Sequence, residues 1–247
     1  MPSFSTKSSI LVLNHAAAVV GMGKYSIKAK GKEAEIYLYG DIGDSWFGDG
    51  VTAKQFADDL KAVGNVDTIQ LRINSAGGDV FQGLTIYRLL VDHKAKVIVH
   101  IDGLAASIAS VIAMAGEEIH IAEAAFVMIH NAWGMAWGSA EEMRTMADLL
   151  DKTTASIRDV YVARTGKPAD DIKAWMDAET WFNAEQAVEN GFATVVADNM
   201  KLAAKFDTTM HRGIKRAPTA LAGTPNLDDA RRRIATMKLK IDRARAA

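Results

Sequence analysis

The chain has 247 residues, of which 49% are hydrophobic and 24% charged, with a formal net charge of −1. This composition is typical of a soluble globular protein with one sizeable domain plus extensions, and the total charge does not indicate binding to nucleic acid or to a membrane surface. The sequence contains no cysteine, which excludes disulfides, cysteine nucleophiles and thiolate metal sites and fits a cytoplasmic location.

Apolar runs alternate with helical patterns through the first half of the chain. The runs predict buried strands at Glu35–Tyr39, Thr68–Ile73, Lys96–Ile101 and Ala125–Ile129, and the intervening patterns predict helices at Thr52–Val63, Phe81–Val91 and Ala105–Ala115. Strands that alternate with helices form βαβ units with parallel strands, so the sequence predicts an α/β fold.

A long helix is predicted from Ser139 to about Arg164. Ser139 and Glu142 form a capping box at its start, and Gly166 supplies a stop. Two short helices should follow, one beginning at Pro168 and one capped by Asn183.

The globular body should end near residue 196. The predicted organisation is an N-terminal arm at 1–33, the main domain at 34–196, a linker at 197–226 and a basic helix at 227–247. From His211 onward there are ten Lys and Arg against three Asp, so the tail is basic. The apolar run Ile10–Met22 is too short to span a bilayer and favours an N-terminal strand or docking arm over a signal peptide.

Three segments that each follow a predicted strand carry polar groups suited to catalysis. In Asn74–Asp79, Gly77 and Gly78 allow a tight turn with backbone N–H groups exposed at a helix start, where an anion can bind; a simple strand-to-helix turn explains the same pattern. Ser107 lies among small residues in the predicted first turn of a helix, where it is either a nucleophile or a packing residue. His130 ends a strand, the usual place for functional groups in α/β folds.

Together these segments contain the parts of a serine hydrolase. A serine hydroxyl needs a base within hydrogen-bond reach, and imidazole is suited to that task near neutral pH. A carboxylate normally orients the imidazole, and backbone N–H groups receive the developing oxyanion. The sequence has neither a His-Glu-x-x-His metal motif nor a nucleotide-binding P-loop, so we expect no metal and no cofactor.

The combined motifs resemble the Clp protease proteolytic subunit family. The matching segments are Ile73–Gly78, Gly103–Ser107, Val127–His130, Arg164–Gly166 and Asn183–Gly191, and they occur in the family's order within about residues 34–196. The resemblance implies a spiral of repeated β-β-α units with an extending long helix, a fold shared with crotonases.

The resemblance also implies the roles of individual residues. Ser107 would be the nucleophile and His130 the base, with the amides of Gly78 and Ile108 forming the oxyanion hole. Extended peptide would bind as an added strand along the segment after the histidine, with contacts to Gly77, Asn131 and Trp133, and with Trp137 as a further flanking residue.

The third catalytic residue is where the sequence departs from the family. The family has an aspartate shortly before an aromatic residue, and an ungapped comparison puts Glu179 at that position. Asp177 is the competitor, and we favour Glu179 because triads tolerate exchange of aspartate and glutamate. A Ser-His dyad without either carboxylate is the remaining possibility.

The aromatic segments around Trp46, Trp133 and Trp181 resemble the corresponding segments of Clp-related proteases from phage head-assembly modules. That subgroup predicts a serine endopeptidase that processes capsid or scaffold proteins in the host cytoplasm. The alternatives are a housekeeping degradation subunit that works with an ATP-driven unfoldase, a crotonase-like acyl-CoA enzyme, and a non-catalytic assembly protein. The lysine-dependent signal-peptide peptidases fit less well, because the histidine motif is present.

We expect peptide or protein substrates and a homo-oligomer built as a ring or as stacked rings. The apolar positions of the long helix, which include Met143, Leu149 and Ile157, suggest that this helix mediates the assembly.

Overall fold

The computed structural model describes the backbone of residues 11–14 and the full structure of residues 25–44 and 50–197. The strands are β1 (Leu11–Asn14), β2 (Ser26–Lys30), β3 (Glu33–Tyr39), β4 (Thr68–Ser75), β5 (Lys96–Ala106), β6 (Glu118–Ala122), β7 (Phe126–Ile129), β8 (Thr180–Phe182) and β9 (Val195–Ala197). The helices are α1 (Ala53–Val63), α2 (Val80–Val91), α3 (Ile108–Ala113), α4 (Ala140–Thr165), α5 (Ala169–Asp177) and α6 (Ala184–Glu189).

The strands form one mixed sheet. Its main path runs β1-β2-β3-β4-β5-β6-β9, with antiparallel pairing from β1 to β3 and parallel pairing from β3 onward. The parallel strands joined by helices confirm the predicted α/β class, and β2 lies in the sheet although its residues fall in the predicted N-terminal arm.

The hydrophobic core lies on one face of the parallel strands. In β4, Ile69, Leu71 and Ile73 are fully buried, whereas the alternating Gln70 and Arg72 are only half-buried on the opposite face. This period of two is the pattern expected where one sheet face packs on helices.

Strand β5 changes partners along its length, and this places the candidate site. Its first part, Ile98–Ile101, pairs with β6, whereas Leu104–Ala106 pair with β7. Parallel β5 and β7 therefore end side by side, and the residues that follow each strand, Ser107 and His130, lie at the same edge of the sheet.

Helix α4 is anchored to the body through its C-terminal half. Its buried residues, Thr153, Ile157 and Tyr161, are spaced four apart and so form a single stripe. The first three turns are largely exposed. The predicted capping box of Ser139 and Glu142 is present, and Gly166 ends the helix in the left-handed conformation.

The prediction of a helix at Ala105–Ala115 is wrong at its start. Strand β5 continues to Ala106, and α3 begins only at Ile108, so Ser107 precedes the first turn. The small residues Ala105 and Ala106 extend the strand because they pair with β7, a long-range contact that the local pattern does not reveal.

The predicted linker (197–226) and the predicted basic helix (227–247) lie outside the described residues, with the exception of residue 197. Within the part of the chain that is described, no helix combines the length and apolarity needed to cross a membrane.

Candidate active site

Ser107 lies at the junction between β5 and α3 in an unusual backbone conformation. Its φ is 54° and its ψ is −131°, and it is one of two non-glycine residues with positive φ in the described structure. Such a conformation costs about 1–3 kcal/mol and persists only where surrounding contacts enforce it. It resembles the strained strand-to-helix turn that exposes a nucleophilic serine in other hydrolases.

His130 lies within hydrogen-bond distance of this serine. Its Nε2 atom is 2.7 Å from Ser107 Oγ. The two residues follow adjacent strand ends, and the N–H of Ser107 donates to the carbonyl of Met128, two residues before the histidine. The backbone thus fixes the spacing of the hydroxyl and the imidazole, which meets the geometric requirement for a general base.

The glycine pair packs directly against the serine. A Cβ atom on Gly77 would lie 2.8 Å from both Ala106 O and Ser107 Cβ, and 3.2 Å from the backbone nitrogen of Ile108. Only a residue without a side chain fits at that distance. The approach brings the Gly77–Gly78 turn beside the backbone amide that follows the serine.

Two backbone N–H groups at this turn are left without partners in the secondary structure. Gly78 is bridged to Ile42, and that bridge uses the carbonyl of Gly77 and the N–H of Asp79, so the N–H of Gly78 points away from it. Ile108 is the first residue of α3, where an N–H has no intrahelical acceptor. Both amides can therefore donate to an anion beside Ser107.

Asp177 is the last residue of α5, and Glu179 lies in the segment that joins α5 to β8. The antiparallel register of β7 with β8 pairs Ile129 with Thr180, and one further step brings Glu179 opposite His130. Glu179 has a φ of 50°, and Trp181 Nε1 donates to its Oε1 at 3.3 Å. Glycine is the usual residue in this conformation after a helix, so the glutamate is held there against a local preference.

Asp177 makes a different set of contacts. It accepts hydrogen bonds from Asn131 at 2.9 Å and from Lys173 at 2.6 Å. These bonds hold its pKa below the ordinary value. Asp177 therefore connects α5 to the residue after His130.

Apart from Gly77, the predicted substrate-binding residues are close in sequence to His130, but they differ in exposure. Trp133 is 48% exposed and Trp137 is 84% exposed, whereas Asn131 is half-buried. Large exposed indoles are unusual on a protein surface and are often used for binding.

Ser110 and Tyr161 lie near Ser107, and the sequence predicted no functional role for either residue. Ser110 is completely buried, and its Oγ lies 2.6 Å from Ser107 O and 2.8 Å from the hydroxyl of Tyr161 in α4. The sequence does show a serine three residues after the proposed nucleophile. No local pattern, however, predicts its contact with a tyrosine that is 51 residues away.

Asp102 is a second buried polar residue whose partners the sequence did not reveal. Arg72 binds it with two hydrogen bonds of 2.9 and 2.5 Å, and the hydroxyl of Tyr39 donates to it at 2.6 Å. Burial raises the pKa of Asp102, although these bonds act in the opposite direction. The cluster joins β3, β4 and β5 one residue before Gly103, so it supports the segment that leads to Ser107.

With this geometry established, comparison with known proteins identifies the family. A family model described as Clp protease matches residues 24–200. The chain belongs to the Clp protease family. It is therefore a serine-type peptidase, and the match covers strands β2 to β9, both turns and the six helices described above.

Similar curated proteins carry corresponding names. The chain is 30% identical to the ATP-dependent Clp protease proteolytic subunit 1 of Leifsonia xyli over 138 residues, which cover 55% of this chain and 70% of the relative. It is 31% identical to subunit 2 of Tropheryma whipplei, with 55% and 74% covered, and 26% identical to subunit 3 of Rhodococcus jostii, with 74% and 90% covered.

Proposed function

We propose that this Clp-family peptidase cleaves peptide bonds with Ser107 as the nucleophile and His130 as the general base. The observation that carries the proposal is the 2.7 Å separation of Ser107 Oγ from His130 Nε2 at a strained turn. A packing serine would need neither the strain nor the imidazole contact.

In the acylation step, Ser107 Oγ forms a bond to the carbonyl carbon of the substrate while its proton moves to His130 Nε2. The carbonyl oxygen becomes an oxyanion, which accepts hydrogen bonds from the N–H groups of Gly78 and Ile108. Collapse of this intermediate breaks the C–N bond, and the imidazolium donates its proton to the leaving amine. Water then repeats the sequence on the acyl-enzyme with the same base, which regenerates Ser107.

Glu179 is our proposed third member, because the strand register places it opposite His130 and it occupies a backbone conformation unfavourable for its residue type. Its carboxylate would orient the imidazole and stabilise the imidazolium. Asp177 is less suited to this role, because Asn131 and Lys173 already occupy its carboxylate.

Extended peptide would bind along the segment after His130 by main-chain hydrogen bonds, as in strand addition to a sheet edge. The backbone of Gly77 packs against Ser107, where it would contact the peptide, and the exposed indoles of Trp133 and Trp137 would flank the peptide.

We further propose that the chain acts as a proteolytic subunit of a homo-oligomeric Clp-type assembly in the cytoplasm. The support is that the relatives are named ATP-dependent Clp protease proteolytic subunits. Processing of capsid or scaffold proteins in phage heads has no such support among them, and the crotonase-like and non-catalytic alternatives do not account for the serine–histidine pair. A degradation subunit should cleave short peptides without ATP and folded proteins only with an ATP-driven unfoldase, whereas a head-maturation protease should cut its substrate at defined sites without ATP.

The test of the catalytic proposal is the Ser107→Ala variant. Removal of the nucleophile should reduce kcat for a fluorogenic peptide by at least about a thousandfold while the protein stays folded. Circular dichroism and thermal unfolding of the variant provide the control. A folded Ser107→Ala protein with unchanged kcat would disprove the assignment.

A further inference from the structure

A buried chain of hydroxyl groups lies beneath the proposed nucleophile. Tyr161 is 1% exposed and Ser110 is fully buried. The tyrosine hydroxyl is 2.8 Å from Ser110 Oγ, which is 2.6 Å from the carbonyl oxygen of Ser107 and 3.0 Å from that of Met128. The chain therefore connects α4 to the backbone of the strained turn.

The direction of these hydrogen bonds follows from counting donors. Ser110 has one hydroxyl hydrogen, and two carbonyl oxygens lie within its reach. If Ser110 donates to the nearer one, that of Ser107, its oxygen is free to accept from Tyr161. Burial raises the pKa of Tyr161, so its hydroxyl keeps its proton and can act as that donor. The aromatic contact of Tyr161 with Phe192 holds the ring in place.

The series of hydroxyl groups ends at the carbonyl of Ser107, which belongs to the same peptide unit as the proposed oxyanion donor, the N–H of Ile108. Ser107 C=O and Ile108 N–H are the two ends of one planar amide. A hydrogen bond to the oxygen draws electron density from the nitrogen, which makes the N–H a stronger donor, and hydrogen bonds in series strengthen one another in this way. The same bond fixes the plane of the peptide and hence the direction of the N–H.

We propose that Tyr161 and Ser110 are positioning residues that orient and polarise the Ser107–Ile108 peptide, so that the Ile108 N–H binds the oxyanion of the transition state. This inference rests on the proposed roles of Ser107 and Ile108. Tyr161 of α4 would thus affect catalysis although it does not touch the substrate. A purely structural role would satisfy two buried hydroxyls and would affect stability alone.

The Tyr161→Phe variant separates these roles, because it removes one oxygen and keeps the ring that packs on Phe192. We expect kcat for a short peptide to fall about tenfold with KM unchanged, since the oxyanion exists only in the transition state. The affinity for a peptidyl boronate, which forms a tetrahedral adduct, should fall by a similar factor, whereas that for the unreactive product peptide should not.

The matched control is Tyr25→Phe, which removes another buried tyrosine hydroxyl in the part of the core that contains Phe56. It should change thermal stability without changing kcat. Ser110→Ala should lower kcat at least as much as Tyr161→Phe, and adding Tyr161→Phe to it should have little further effect on kcat, because the tyrosine acts through the serine. For each variant, kcat is calculated from the concentration of folded protein.

An unchanged kcat and boronate affinity in Tyr161→Phe, with only a loss of stability, would overturn the inference and leave the proposed function intact. A folded and active Ser107→Ala would instead remove the proposed function itself. The two failures are therefore distinguishable.

Discussion

At the scale of single residues, close contact with the backbone of Ile42 explains why glycine is required at position 78, after the glycine that packs on Ser107. Gly78 has a φ of 147°, and a Cβ there would lie 2.1 Å from Ile42 O and 2.9 Å from Ile42 N. Because these are backbone atoms joined by the bridge that orients the Gly78 amide, no side-chain movement can relieve the clash.

We predict that Gly78→Ala lowers the free energy of unfolding by more than about 2 kcal/mol and removes most of the peptidase activity. The matched control is Gly31→Ala, which also has positive φ but no atom within 4 Å of the added Cβ. That variant should lose about 1 kcal/mol and retain its kcat. Chemical denaturation and peptide hydrolysis measure both effects, and equal behaviour of the two variants would refute the steric argument.

The choice between the two carboxylates is also decided by single substitutions. Glu179→Gln keeps the shape of the side chain but removes its charge, and we expect kcat to fall by about a thousandfold or more, as when the orienting acid of a triad is neutralised. Asp177→Asn should have a much smaller effect, because its partners are Asn131 and Lys173. The opposite ranking of kcat values would assign the role to Asp177, and two unimpaired variants would indicate a dyad.

At the scale of elements, the sequence predicted the parallel strands and the capped helices well because their signals are local. The alternation in β4, the capping box of α4 and the stop at Gly166 each depend on residues within a few positions of one another. The end of β5 was missed because Ala105 and Ala106 become strand residues only by pairing with β7.

The candidate site was likewise predictable where its signals are local and was missed where it depends on long-range contacts. The pairing of Ser107 with His130 was anticipated because both follow strands whose carboxyl ends share a sheet edge. The contacts of Ser110 with Tyr161 and of Arg72 with Asp102 join residues 51 and 30 positions apart. Periodicity carries no information about such pairs, so they could not be found without the fold.

The polar face of the sheet predicts a dependence of stability on pH. Burial, with contributions from Arg72 and His120, lowers the pKa of His100 to about 4. The fold therefore favours the neutral imidazole, whose Nε2 lies 2.7 Å from Gln70 Oε1. This contribution to stability is complete above the unfolded-state pKa of about 6.5 and is lost as the pH falls from there towards 4.

Thermal unfolding measured between pH 7.5 and 4 tests this prediction. The melting temperature of the wild type should fall more steeply below pH 6.5 than that of His100→Gln, which has no titrating group at this position. His93→Gln is the matched control, since His93 lies in the turn before β5, where its Nδ1 accepts a hydrogen bond from the nearby N–H of Ala95. Parallel pH profiles for the wild type and His100→Gln would contradict the assignment.

At the scale of the whole molecule, the exposed half of α4 suggests how subunits would associate. Met143 and Leu149 in this half of α4, and Met135 in the segment before the helix, are large apolar residues with at least 39% of their surface exposed. Exposed apolar surface of this kind is typical of subunit contacts. It supports the proposed homo-oligomer and places the contact next to the segment after His130.

We predict that Leu149→Glu shifts the protein from oligomer to smaller species in sedimentation velocity, because burial of a carboxylate in an apolar contact is unfavourable. Arg144→Glu introduces the same side chain on another face of α4 and should leave the assembly unchanged. A wild-type protein that is monomeric at high concentration, or a Leu149→Glu variant that assembles normally, would refute this surface.

Covalent labelling tests most directly whether Ser107 is the activated nucleophile. The wild-type protein is treated with a fluorophosphonate, and the modified residue is located by mass spectrometry of its peptides. We predict a single adduct on Ser107, strong reduction of labelling in a His130→Ala variant and none in Ser107→Ala. Absence of labelling in folded, assembled protein, or an adduct on a different serine such as Ser110, would contradict the account.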